Sequence, residues 1–126
     1  MITQTEYQTM MTRTLINRGQ FTKQEPVECE ADLHDEIIQL CKDRGYYYVH
    51  SRTDRRTTQA CGVPDFIVAI EAGKTLFLEC KARNNKPTVE QLSAVAHLNK
   101  LGHTAAIVTN MAEVMAELQR TKNETE

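Results

Sequence analysis

The stretch Gly62 to Ala82, GVPDFIVAIEAGKTLFLECKA, decides how this chain is read. Phe66-Ile-Val-Ala-Ile70 is an apolar run rich in β-branched and aromatic residues, which predicts a strand. Ala72-Gly73-Lys74 predicts a tight turn and Thr75 to Lys81 a further strand, so the two runs form an antiparallel hairpin. Side chains alternate along a strand. Thr75, Phe77, Glu79 and Lys81 therefore share one face, and Leu76, Leu78 and Cys80 the other. A hairpin turning near Gly73 sets residues equidistant from the turn opposite one another, so Asp65 faces the region of Glu79 to Lys81. Two carboxylates and one ammonium converge at one end of the sheet.

Glu79 and Lys81 alone would read as an exposed ion pair of little energetic value. Asp65 shifts the weight, because two carboxylates so close repel unless a cation lies between them. An all-oxygen site of this kind suits Mg²⁺ or Mn²⁺ rather than zinc. Held by Asp65, Glu79 and the Cys80 carbonyl, such an ion would lower the pKa of a bound water and stabilise charge on a phosphate. Lys81 would orient or deprotonate the attacking water, or neutralise the charge that develops. Hydrolysis of a phosphodiester uses all these parts.

Outward from the hairpin, Leu33, Ile37 and Cys41 recur every four residues from Glu30, with Leu40 beside them. This is one face of an amphipathic helix closed by Gly45. Tyr46 to Val49 predicts a strand, and Ser51 to Gly62, polar and basic, a loop. On the other side, Thr88-Val-Glu-Gln91 after Pro87 opens a helix with Leu92, Val95 and Leu98 inward, stopped at Gly102. Ala105 to Val108 predicts a short strand and Met111 to Gln119 a last helix. The order α-β-β-β-α-β-α requires a mixed sheet covered by helices, hence an α/β class. Residues 1–26 read as a polar helical arm ended by Pro26, 27–120 as the domain and 121–126 as a polar tail.

At 126 residues, with 40% apolar and 25% charged residues, the chain has the size and composition of one globular domain. It has no apolar run of the roughly eighteen residues that a membrane helix needs. The first residues lack the basic-then-apolar form of a signal peptide, so a cytoplasmic location is expected, in the host if the chain is phage-encoded. The net charge of −2 argues against simple coating of nucleic acid. Between Lys42 and Lys86, however, nine basic residues face five acids, which suits either a local phosphate-binding surface or a solvated loop. Cysteines 29, 41, 61 and 80 form no CxxC or CxxH pair, so buried reduced thiols are expected rather than structural zinc. His34, His97 and His103 show no metal spacing, and His50 reads as a surface or satisfied histidine.

Pro64-Asp65 followed by Glu79-Cys80-Lys81 resembles the PD-(D/E)XK nuclease motif. The Gly62-Val-Pro-Asp65 turn, the Glu79-Cys-Lys-Ala82 stretch and Thr88-x-x-Gln91 resemble more closely its VRR-NUC branch, over roughly residues 30 to 110. The resemblance implies a restriction-endonuclease-like core with motif acids Asp65 and Glu79 and motif lysine Lys81. It also implies a metal-proximal glutamate on the first helix. Glu30 matches best, with Glu28 as competitor and the helix dipole as a plainer reason for an acid there. Gln91 corresponds to a glutamine that touches metal-bound water or phosphate, and it equally suits a capping box with Thr88. The Val-Arg-Arg triplet is absent: Arg55-Arg56 falls before the Gly-Val-Pro-Asp turn. Arg52, Arg55, Arg56, Arg83 and Lys86 are candidate phosphate contacts, with solvated loops as the alternative.

The expectation is a stand-alone Mg²⁺- or Mn²⁺-dependent DNA endonuclease. From size and resemblance, it acts as a homodimer on duplex or branched DNA such as a four-way junction. The alternatives are a structure-independent endonuclease or nickase, a catalytically silent DNA-binding subunit, and an accessory domain of a larger repair protein.

Overall fold

The computed structural model describes residues 25–51 and 62–123. The arm up to position 24, Arg52, Arg55, Arg56, Cys61 and the last three residues lie outside the described residues.

Helix α1 (Glu30–Arg44) places acids Glu30 and Asp32 in its first turn and Lys42 and Arg44 in its last, complementing the helix dipole. Its Leu33, Ile37 and Cys41 are buried, as their four-residue spacing requires. Gly45 ends it in the left-handed region at φ 71°, and the Tyr46 N–H then donates back to the Cys41 carbonyl at 2.9 Å. Tyr46 itself is buried, and strand β1 (Tyr47–His50) begins one residue later than its composition suggests.

Strands β2 (Phe66–Ile70) and β3 (Lys74–Cys80) form the expected hairpin, with Phe66 opposite Leu78 and Ile70 opposite Lys74. The turn Glu71–Gly73 holds both Ala72 (φ 63°) and Gly73 (φ 71°) in the left-handed region. Helix α2 (Val89–Lys100), strand β4 (Thr104–Val108) and helix α3 (Met111–Asn123) complete the α-β-β-β-α-β-α order. The sheet runs β1-β2-β3-β4, antiparallel except for the parallel β3–β4 pair. A parallel pair needs a crossover, which α2 supplies.

One sheet face carries Phe66, Val68, Ile70, Leu76, Leu78, Cys80 and Val108 into a core with Leu33, Ile37 and Cys41 of α1 and Val114 and Leu118 of α3. The predicted alternation along β3 therefore holds. α3 runs past Gln119 to Asn123 because Thr121 is buried against the core side, its hydroxyl donating to the Glu117 carbonyl. α2 departs from expectation. It contributes no fully buried residue, and Leu92, read as inward, is 50% exposed. Its hold on the sheet is partly polar: Asn99 exchanges two hydrogen bonds with the backbone of Ala105 on edge strand β4. Cys41 and Cys80 are buried thiols as expected, whereas Cys29 is exposed.

Candidate active site

Asp65 sits immediately before β2, at the position that pairs with Glu79 when the β2–β3 register is extended by one residue. Its Oδ2 accepts a 2.8 Å hydrogen bond from the Cys80 N–H, which locks the carboxylate across the hairpin. Ser51, which the sequence did not single out, steadies the same corner. Its N–H donates to the Asp65 carbonyl at 2.8 Å and its hydroxyl to the Pro64 carbonyl at 3.0 Å. Gly62 explains the start of the Gly-Val-Pro-Asp turn: at φ +85°, a Cβ there would lie 2.5 Å from the Glu90 carbonyl oxygen. The turn bearing Asp65 is thus pressed against the first turn of α2, where Gln91 stands.

Glu79 is buried to 3% exposure on the sheet face opposite the main core. Lys81, one residue past β3, keeps the parallel ladder going with its N–H on the Val108 carbonyl. Its Nζ lies 3.8 Å from Glu79 Oε1. Gln91 makes the capping box with Thr88, its Oε1 accepting from the Thr88 N–H at 2.9 Å, and its Nε2 also donates to Glu79 Oε1 at 2.6 Å. One oxygen of Glu79 is therefore held, while Oε2 is buried with no hydrogen-bond partner. Burial first, then the charge of Asp65, pushes the Glu79 carboxyl up to about 7.

Glu30 and Glu28 separate clearly. Glu28 is turned to Arg83, whose Nε donates to it at 2.6 Å. Glu30 Oε2 accepts from Asn85 at 2.9 Å, and its charge reaches His34, Glu79 and Cys80. Of the basic candidates within the described residues, Lys86 is exposed. Arg83 is occupied by Glu28, by Glu25 at 3.5 Å and by the Pro26 carbonyl.

His34 is the residue that spacing along the chain did not reveal. It lies one turn after Glu30 on α1, and its Nε2 is 3.5 Å from Asp65 Oδ2, beyond good hydrogen-bonding distance. Chiefly the approach of Asp65, against burial, raises its pKa. A four-residue spacing from Glu30 on one helix face was the available signal. An imidazole nitrogen thus stands beside the carboxylates that the sequence brought together. Ligand atoms of His34, Asp65 and Cys80 come within 4.8 Å of one another. The Cys80 thiol, however, is pushed up, first by burial and then by Asp65 and Glu79, and so stays protonated.

The donor set fits a divalent cation. Two buried polar atoms without hydrogen-bond partners, Glu79 Oε2 and His34 Nε2, border the same pair of carboxylates. Such unpartnered buried atoms are few in native proteins, and here two fall at one corner.

No family model matches the sequence. A solved structure described as a VRR_NUC domain superposes with a TM-score of 0.57 at 22% identity, covering 71% of this chain and 94% of that one. The chain has the VRR_NUC fold. A curated protein of Acyrthosiphon pisum secondary endosymbiont phage 1, named "Putative nuclease p44", is 49% identical over 47 residues. That match covers 37% of this chain and 50% of the phage protein, so it spans about half of that relative's length. Among the described residues, the hairpin corner bearing Asp65 and Glu79 holds the buried carboxylates. No helix among the described residues is long and apolar enough to cross a membrane.

Proposed function

We propose that this chain is a metal-dependent DNA endonuclease of the VRR-NUC family that hydrolyses phosphodiester bonds, with Mg²⁺ or Mn²⁺ as cofactor. One observation carries the reading: Asp65 and Glu79 are buried together at 3% exposure, with Glu79 Oε2 unbonded and Lys81 3.8 Å from its other oxygen. The ion would be held by Asp65, Glu79 and the Cys80 carbonyl, with Glu30 at the rim. When bound, it supplies Lewis acidity toward the phosphate and an activated water. Gln91 turns Glu79 so that one oxygen remains for the cation. Lys81 holds the attacking water or takes its proton, and its charge offsets that of the pentavalent phosphorus. Arg52, Arg55, Arg56 and Lys86 contact the DNA backbone, as does Arg83 once phosphate replaces Glu28.

The unit that acts is a homodimer selective for branched DNA, working in the cytoplasm, that of a host if phage-encoded. The small size of the domain supports the dimer, and the phage relative supports action in a host cytoplasm. Labelled four-way junction, flap and linear duplex, incubated with Mg²⁺, Mn²⁺ or EDTA, test the proposal. Cleavage requires metal and falls at least about 100-fold in Asp65→Ala and Lys81→Ala. Binding without cutting by the wild type would make the chain a silent DNA-binding subunit. A monomer by light scattering with no junction preference would remove the dimer and the branched substrate.

A further inference from the structure

His34 and His50 form a pair that the motif residues do not account for. His34 Nδ1 lies 3.2 Å from His50 Nε2. Both rings are oriented by Phe66: His50 stacks on it at 4.3 Å with an interplanar angle of 2°, and His34 meets it edge-on at 5.4 Å. A contact between two imidazole nitrogens needs one proton, carried by one ring or the other. If His50 donates, His34 Nε2 carries its own proton toward Asp65. If His34 Nδ1 donates, His34 Nε2 presents a lone pair beside Asp65 Oδ2. That second arrangement is the one by which proteins orient metal-binding histidines, the outer nitrogen donating to a fixed acceptor. Ligands on adjacent corners of an octahedral ion stand roughly 3 Å apart, and the His34 Nε2 to Asp65 Oδ2 separation is 3.5 Å. His34 Nε2 is buried and has no hydrogen-bond partner.

We propose that His34 is a nitrogen ligand of the metal site, with His50 as the acceptor that fixes its tautomer, and that the site consequently prefers Mn²⁺ to Mg²⁺. The proposal rests on the metal-dependent reading given above. Its added claim is the donor atom, and through it the metal. Imidazole suits transition-metal ions, whereas Mg²⁺ is selected by oxygen ligands and retained water.

Pulsed electron paramagnetic resonance of the Mn²⁺-loaded full chain reads the donor directly. The wild type shows nitrogen modulation from a bound imidazole, which is lost in His34→Gln and kept in His97→Gln. Titration calorimetry with Mn²⁺ and with Mg²⁺ separately gives the second readout. The Mn²⁺-to-Mg²⁺ affinity ratio falls at least about tenfold in His34→Gln. Mn²⁺ affinity drops about 10- to 100-fold in His50→Phe, as for other outer partners of metal-binding histidines. Mn²⁺ bound to the wild type without nitrogen modulation would overturn the proposal and leave the metal-dependent reading standing. Failure of the wild type to bind either ion would overturn both. A thiolate charge-transfer band in the Co²⁺-loaded protein would assign the soft ligand to Cys80 and overturn the Mn²⁺ preference. Should His34→Gln fail to fold, the wild-type spectrum still decides the nitrogen ligand.

Discussion

The two ends of the β2–β3 hairpin treat charge in opposite ways. At the turn, the Tyr46 hydroxyl donates to Glu71 at 2.9 Å, Lys122 Nζ lies 3.7 Å from the same carboxylate, and Lys74 donates to the Lys122 carbonyl. Opposite charges meet there near solvent, and the Glu71 carboxyl is held below its usual range, first by its own backbone N–H and then by Tyr46. At the other end, Asp65 and Glu79 are buried together, and the Glu79 carboxyl is pushed up to about 7. The turn end is arranged for the folded state. The Asp65 end works against it, and groups held in that condition mark places where chemistry rather than stability set the arrangement.

The largest effect that separates the two ends concerns Glu79. Its folded-state value lies above its unfolded one, so ionising it opposes folding. The metal-free protein is relieved of this burden below pH 4.5 and carries it fully above about pH 7. A raised His34 value acts in the same direction, its contribution being present below 6.5 and lost as pH rises through the folded value. In EDTA, stability therefore falls between pH 5 and 8 by an amount on the order of 2–3 kcal/mol. Glu79→Gln removes most of that slope and is more stable than wild type at pH 8. Urea denaturation across this range checks it, and a flat wild-type profile would erase the contrast between the ends.

Gly62→Ala should cost about 2 kcal/mol or more, because the left-handed backbone and the approach to the Glu90 carbonyl both exclude a methyl group. If the turn positions Asp65, cleavage drops in the same variant while it is still folded, which sharpens the link between turn and site. At the other end, Tyr46→Phe lowers the melting temperature by a few degrees and leaves cleavage unchanged, since it loses one partly exposed hydrogen bond far from Asp65. A cleavage defect in Tyr46→Phe would break the separation of the ends.

How far these two ends could be read from the chain alone follows from the range of the contacts involved. The hairpin was readable because its pattern is local: two apolar runs flank one turn near Gly73, so counting outward sets Asp65 opposite the region of Glu79 to Lys81. The face carrying Leu33, Ile37 and Cys41 was readable for the same reason. His34 was not, because it meets Asp65 only when α1 is laid across the sheet, a contact between residues far apart in the chain. Ser51 steadies the Asp65 corner through its N–H and its hydroxyl, both on backbone carbonyls that a serine in a loop does not announce. Leu92 misled because helical periodicity shows that a face is apolar without showing what covers it. Gln91 resolved in neither direction alone, since its carboxamide has an oxygen for the capping box and a nitrogen for Glu79.

The claim that joins these observations is that the buried carboxylates at the Asp65 end are completed by a metal ion. Melting of the wild type and Glu79→Gln at pH 8, in EDTA and then with Mn²⁺ or Mg²⁺, tests it most directly. The account predicts that the ion raises the melting temperature of the wild type, while Glu79→Gln starts higher in EDTA and gains little. A wild type whose melting is indifferent to both ions, with Glu79→Gln no more stable than it in EDTA, would contradict the account.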